Sequence, residues 1–225
     1  MKVAAIVPAY NEEKRICSVL SVVEQVPLID EVLVVNDGST DRTSDVVPKG
    51  NGVRMVDLPR NVGKGGALLA GANTTDADIL VFVDADLVGL TPSHLSLLIS
   101  PVLNDEAEMS VGIFKGGRYW TDLAQRIVPY ISGQRAIKRE VFLSVPHVER
   151  VRYGVEVALT RHAASAGLRV TQVPLSGVTH VMKEEKLGLA PGFLARLRMY
   201  RDIMGFLVYS WVSDWRHHRN GNGSR

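Results

Sequence analysis

Cysteine is nearly absent. Cys17 stands alone among 225 residues, so no intramolecular disulfide can staple the fold, a usage that fits a reducing compartment. Neither sign of charge dominates: 26 Lys and Arg face 24 Asp and Glu, a formal net charge of +2. Broad electrostatic capture of nucleic acid is thereby excluded. No apolar run approaches the roughly 20 residues that a membrane-spanning helix needs. The longest candidate, Ile203 to Val212, is short and is interrupted by Gly205 and Ser210. The opening MKVAAIVPAYNEE is not a secretory signal, because its apolar run from Val3 to Val7 meets Pro8 and then charge. Repeats and low-complexity segments are also missing. What is present is 46% hydrophobic residues, enough for one compact core. Together these features lead to the expectation of a cytoplasmic protein.

The hydrophobic pattern alternates between two periods. Val3 to Val7, Glu31 to Val35, Val53 to Leu58, Ile79 to Val83 and Met109 to Phe114 are short, β-branched and apolar on both faces, as strands of a parallel sheet covered on two sides are. Between them, Asn11 to Val23 has helical spacing with Asn11 as its cap, a short helix starts at Asp41, Gly63 to Ala72 reads as a closely packing helix, and Thr91-Pro92 opens another through Ile99. Strands alternating with helices predict an α/β fold with a mostly parallel, Rossmann-like sheet. After Phe114 the pattern changes. Lys115-Gly116-Gly117-Arg118 is a basic loop, Ser132 to Phe142 is mixed, and Gly154 to Ala166 is a helix stopped by Gly167. Leu168 to Val173 and Ser176 to Val181 read as two strands joined through Pro174, and Leu189 to Trp215 reads as a helical extension.

Ligands of an open parallel sheet collect beyond the carboxyl ends of its strands. Here the first strand delivers Pro8-Ala9-Tyr10-Asn11-Glu12, the second Asn36-Asp37-Gly38-Ser39, and the fourth Asp84-Ala85-Asp86. Singly, Asp37-Gly38 is ordinary turn chemistry and Asn11-Glu12 ordinary capping. Their coincidence at one edge points to a site. Asp84 and Asp86 are the sharpest element: two carboxylates on alternate residues repel one another unless a cation or donors neutralise them. Mg²⁺ or Mn²⁺ beside a diphosphate meets that need, since Mg²⁺ takes one or two carboxylates plus phosphate oxygens. Asp86 is the better direct ligand, and Asp84 suits a ribose hydroxyl or a supporting place. Gly63-Lys64-Gly65-Gly66 offers helix N-terminal amides and an ammonium to an anion such as a donor phosphate.

The segments IVPAYNEE, VVNDGSTDRT, NVGKGGALLAG and FVDADL, in this order and spacing, resemble the signature of family 2-type glycosyltransferases of the GT-A fold. That resemblance implies that Pro8, Ala9, Tyr10 and Glu12 surround base and ribose, that Asp37 contacts the base, and that Asp84, Ala85 and Asp86 form the metal and donor motif. The second half is similar to glucosyl-3-phosphoglycerate synthases. The similarity lies in Gly117-Arg118, Ser132-Gly133-Gln134-Arg135, Tyr153-Gly154-Val155-Glu156 and Val178-Thr179-His180, with Arg152 where those synthases have Gly. It implies that His180 completes the metal site with Asp86 and Asp84. It assigns Arg118 to the acceptor phosphate and places Ser132, Gly133, Tyr153 and Glu156 along the sugar and acceptor pocket. Asp86, Glu156 and Arg118 then stand at the reacting centre. The implied activity is transfer of glucose from UDP-glucose to a small phosphorylated acceptor such as 3-phosphoglycerate, with retention of configuration; in a retaining site Glu156 binds sugar hydroxyls instead of serving as a base.

The expected organisation is one domain over residues 1–219, with a nucleotide-sugar half (1–114), an acceptor half with the C-terminal helix (115–219), and a disordered tail (220–225). The helix from Phe193 to Trp215 interleaves Leu194, Leu197, Tyr200, Ile203, Leu207, Trp211 and Trp215 with Arg196, Arg198 and Arg201. Packing on the domain or on a second subunit of a homodimer is the plainer reading. The sharper one is a peripheral contact with the inner membrane face, which would bring the enzyme to a polyprenyl phosphate or glycolipid acceptor. A nucleotidyltransferase, which can share the architecture, would show a Gly-rich basic loop where this chain has Pro8-Ala9-Tyr10-Asn11.

Overall fold

Successive residues of the first strands face opposite layers, and both layers are apolar. Val3, Ala5 and Val7 of β1 (Val3–Ala9) join one buried cluster, Ala4 and Ile6 the other; Val32 and Val34 of β2 (Glu31–Asn36) alternate with Leu33 and Val35 in the same way. The first cluster is closed by α1 (Ile16–Val23) and α4 (Pro92–Leu103). The second is closed by α3 (Lys64–Thr74), α5 (Arg139–Leu143) and α6 (Val155–Ser165). The short α2 is Thr43–Val46. The result is a sheet covered on both faces, the arrangement that the two-sided apolar strands require. This computed structural model describes residues 1–48, 50, 52–115, 132–151 and 154–180. The chain divides after His180, and the unit 181–225, with its expected helix and tail, lies outside the described residues.

Among the described residues seven strands form the main sheet in the order β3-β2-β1-β4-β7-β6-β8. Its further members are β3 (Val53–Asp57), β4 (Ile79–Phe82), β6 (Met109–Lys115), β7 (Arg135–Lys138) and β8 (Val170–Ser176). All pairings are parallel except those of β7, which runs antiparallel to both β4 and β6. Leu87–Val88 (β5) and Thr179–His180 (β9) form a separate antiparallel pair.

Two expectations are corrected and a third is made specific. The first helix starts at Ile16, not Asn11. Asn11 has a φ of 58°, and its side-chain oxygen accepts from the Thr40 N–H at 2.8 Å, so it ties two loops together instead of capping. The helix has no side-chain cap but buries Ile16, Val19, Leu20 and Val23. Burial contributes about 1.5–3 kcal/mol per large apolar side chain, against about 1 kcal/mol for a cap, so packing decides. Next, Pro174 does not divide two strands: β8 runs through it. β8 lies at the sheet's edge, where a missing N–H is tolerated. Finally, the mixed stretch from Ser132 to Phe142 resolves into β7 and α5.

Two glycines let α3 reach its place. A Cβ on Gly71 would meet Ile6 Cγ2 at 2.7 Å, and one on Gly65 would meet the carbonyl oxygens of Val148 and Val151 at 2.2 and 2.6 Å. The contacts of Gly65 are backbone, so they cannot rotate away. Gly65→Ala is expected to lower stability by about 1–3 kcal/mol, the range for overpacking, read as a lower urea midpoint at unchanged m-value. At the far edge, Arg169 grips Glu108 through its backbone N–H at 2.8 Å and its guanidinium at 2.5 Å. These bonds hold the Glu108 carboxyl well below its usual range, at about 2. A depressed folded pKa stabilises above the unfolded value and loses that contribution as pH falls through the folded one. Glu108→Gln is therefore expected to lower the urea midpoint at pH 7, with the gap to wild type closing as pH falls from about 4.5 toward 2.

Candidate active site

Strand order reverses direction beside β1. The chain moves from β1 to β2 and β3 on one side, then crosses back to β4 on the other. A crevice opens at such a switch point, outside the carboxyl ends of the strands. The residues following β1 and β4 are the two motifs singled out above, Tyr10 to Glu12 and Asp84 to Asp86. Pro8 and Ala9 end β1, with Ala9 buried, while Tyr10 is 46% exposed and free to meet a planar ligand. Ala85 is buried beneath the acidic turn.

The loop after β1 is fastened to the loop after β2. The Asn11 N–H donates to Ser39 Oγ at 3.0 Å, the Glu12 N–H to Thr43 Oγ1 at 2.8 Å, and the Arg42 N–H to Glu13 Oε2 at 3.0 Å. Asp37 fastens a third loop. Its Oδ1 accepts from the Val62 N–H at 2.7 Å and its Oδ2 from the Gly63 N–H at 2.9 Å, and the residue is buried. Gly38, at φ 66°, lets that loop come close, since a Cβ there would meet the Arg60 carbonyl carbon at 2.6 Å. Asp37 thus positions the turn that launches Lys64, a role that sequence did not reveal beside the base contact implied by resemblance.

Lys64 is the centre of the site. It occupies the first position of α3, where the helix dipole disfavours a cation. Its ammonium lies 2.6 Å from Asp84 Oδ1 and 2.7 Å from Glu156 Oε1. Burial pushes the Lys64 pKa down, but the two carboxylates outweigh it and hold the pKa above its ordinary value. Lys64 therefore stays charged, bridging two acids instead of waiting alone for a phosphate. Glu156 is in the first turn of α6, where a carboxylate is favoured. One ammonium between two carboxylates leaves the cluster net negative even before Asp86 is counted.

The sequence marked out Gly133 and Ser132 but passed over their neighbours. Gln134 Nε2 donates to Asp84 Oδ2 at 2.8 Å. Arg135 is fully buried and donates to the Ser132 carbonyl at 3.1 Å and to Thr160 Oγ1 at 2.9 Å, while Thr160 in turn donates to the Glu156 carbonyl at 2.8 Å. Burial pushes the Arg135 guanidinium down to about 10, with the charge of Glu156 opposing, so it remains a cation behind that carboxylate. Two polar residues opening an apolar strand were the available signal. Gly133 lies against Lys64 and Asp84, where a Cβ would fall 2.4 Å from Nζ and 2.6 Å from Oδ2. Ser132 is buried, with its hydroxyl donating to the Gly112 carbonyl, which secures the sheet edge.

For a metal, the donor set is partial. Among the described residues no group of three or more His, Cys, Asp or Glu side chains is gathered that could hold an ion. Both oxygens of Asp84 are engaged, by Lys64 and Gln134. The β5–β9 ladder pairs Leu87 with His180 and so brings the backbone of residue 180 alongside Asp86. Mg²⁺ or Mn²⁺ accepts one or two carboxylates together with a ligand's phosphate oxygens, which the acidic turn after β4 would meet in part. Arg118 and Tyr153 lie outside the described residues.

Known proteins resemble this chain in sequence and fold. The glucosyl-3-phosphoglycerate synthase of Mycobacterium tuberculosis is 30% identical over 70% of this chain and 59% of its own length, so the chain spans less than two thirds of that relative. The crystal structure of that synthase with Mn²⁺, uridine diphosphate and phosphoglyceric acid superimposes with a TM-score of 0.72 at 28% identity, covering 92% of this chain and 78% of the other. A dolichyl-phosphate beta-glucosyltransferase of Trichomonas vaginalis is 38% identical over 36% of this chain and 28% of its own. The fold is thus the GT-A arrangement that the motifs imply. With residues 4–163 matching the family across both halves of the described site, the chain belongs to glycosyl transferase family 2.

Proposed function

We propose that this chain transfers glucose from UDP-glucose to a small phosphorylated acceptor of the 3-phosphoglycerate type, with retention at the anomeric carbon. The observation that carries the reading is the Lys64 ammonium held between Asp84 and Glu156 at the sheet's switch point. Support for the donor and acceptor comes from the Mycobacterium tuberculosis synthase, crystallised with Mn²⁺ and uridine-diphosphate-glucose and also with phosphoglyceric acid. The match to the dolichyl-phosphate enzyme covers only 36% of this chain, and no helix among the described residues is long and apolar enough to cross a membrane.

In this reading Pro8, Ala9, Tyr10 and Glu12 hold the nucleoside, and Asp37 keeps the loop before Lys64 in register. Asp86 and His180 would hold Mg²⁺ or Mn²⁺, which when bound neutralises the diphosphate. Lys64, Asp84 and Glu156 orient the hexose through its hydroxyls, and Arg118 takes the acceptor phosphate by paired hydrogen bonds. The acceptor hydroxyl oxygen bonds to the anomeric carbon as the bond to the β-phosphate oxygen breaks. The hydroxyl proton leaves with the diphosphate, which departs from the same face. Because Glu156 already carries Lys64 on Oε1, it serves as an orienting group and not as an isolated base.

Incubation with UDP-glucose, Mn²⁺ and 3-phosphoglycerate is expected to give an α-linked product by NMR. A β-linked product overturns retention, and transfer to a polyprenyl phosphate with none to phosphoglycerate overturns the acceptor. Lys64→Met is expected to lower kcat/KM about 10²–10³-fold, as loss of a charged group at a reacting centre does. Asp86→Ala is expected to lose metal-dependent turnover, whereas Arg118→Ala keeps metal-dependent UDP binding and loses acceptor use.

A further inference from the structure

An antiparallel strand beside parallel ones brings its beginning to the edge where the others end. β7 pairs Arg135 with Phe82 at the end of β4, so the residues just before β7 lie beside the acidic turn that follows β4. Gln134 is fully buried there. Its backbone carbonyl accepts from the Gly112 N–H at 2.9 Å, and its side-chain Nε2 donates to Asp84 Oδ2 at 2.8 Å. The other half of the amide, Oε1, is buried and has no hydrogen-bond partner among the described residues.

That asymmetry is informative. Rotating the amide would bring Oε1 against Asp84 Oδ2, oxygen against oxygen, so only the observed orientation satisfies the carboxylate. A buried acceptor without a partner is uncommon in native proteins, and an instance calls for a reason. Here the reason is the N–H that its geminal partner presents to Asp84. With Lys64 on Oδ1 at 2.6 Å and Gln134 on Oδ2, the Asp84 carboxylate is fixed from both ends.

We propose that Gln134 is a positioning residue of the donor site, whose amide sets the plane of the Asp84 carboxylate and, through it, the placement of Lys64 between Asp84 and Glu156. Gln134 acts through Asp84 and touches no reacting atom. The proposal rests on the donor-site reading above.

Its test is a cycle of Gln134→Met, Asp84→Ala and the double variant. Met matches the length of Gln but has no amide. The readouts are calorimetric affinity for UDP-glucose with Mn²⁺, kcat and KM for its turnover, and the urea midpoint. Gln134→Met is expected to weaken affinity or kcat/KM about 10–100-fold, the usual loss when a supporting partner is removed. The double variant is expected to bind UDP-glucose no more weakly than Asp84→Ala alone. Wild-type affinity and kcat/KM in Gln134→Met would overturn the proposal, as would an undiminished further loss in the Asp84→Ala background. If Gln134→Met does not fold, Gln134→Asn decides: it keeps a polar amide but is one methylene shorter, which draws the donor back from Asp84 Oδ2, and it is expected to show a comparable loss with the urea midpoint near wild type. Wild-type affinity and turnover in Gln134→Asn would then overturn the proposal. A wild-type protein that binds no nucleotide sugar defeats the donor-site reading itself, a result distinct from wild-type binding that Gln134→Met leaves unchanged.

Discussion

A single ammonium holds three separate pieces of this protein at one point. Lys64 comes from the start of α3, Asp84 from the turn after β4, and Glu156 from the first turn of α6, and their charged atoms meet within 2.7 Å. Each piece is delivered by a different packing decision. α3 reaches the sheet because Gly71 has no side chain to hold it off, and its first turn sits on the Val148 and Val151 carbonyls because Gly65 has none either. α6 is anchored by Val155, Leu159 and Ala163 in the core. The contact among them is therefore a readout of the whole second layer, and disturbing that layer would be felt at the site.

Electrostatics explains why such a cluster survives. A lysine at a helix N-terminus and an acid pair after a strand are each unfavourable alone. Together they neutralise most of one another, with Gln134 supplying a donor to the second oxygen of Asp84 and Arg135 a buried cation behind Glu156. With both cations counted these four charges balance, and Asp86 adds the negative charge, in a crevice whose loops are cross-tied through Asn11, Glu12, Glu13 and Asp37. A cation and a diphosphate of opposite charges suit such a place, and its rigid loops reduce the ordering cost of binding them.

Much of this was legible in the residues, for physical reasons. Strands apolar on both faces can only be covered on both faces, so the layered α/β fold followed from Val3 to Val7 and Ile79 to Val83. The carboxyl-edge rule then placed Tyr10 to Glu12 and Asp84 to Asp86 together. The partner of Lys64 was not legible, because a phosphate and a carboxylate attract an ammonium alike and 92 residues separate Lys64 from Glu156. Gln134 and Arg135 were hidden for a related reason: their strand runs against its neighbours, and nothing local in Gly-Gln-Arg-Ala-Ile announces its direction. Asn11 misled because an Asn that ties two loops and an Asn that caps a helix look the same in sequence.

The most direct test of the account is a thermal-shift panel of nucleoside diphosphates and their sugars, with and without Mn²⁺. Ligand binding raises the apparent midpoint by mass action. UDP and UDP-glucose are predicted to raise it when Mn²⁺ is present and to lose most of that effect in EDTA. A midpoint that no nucleotide shifts in the presence of the metal would contradict the account.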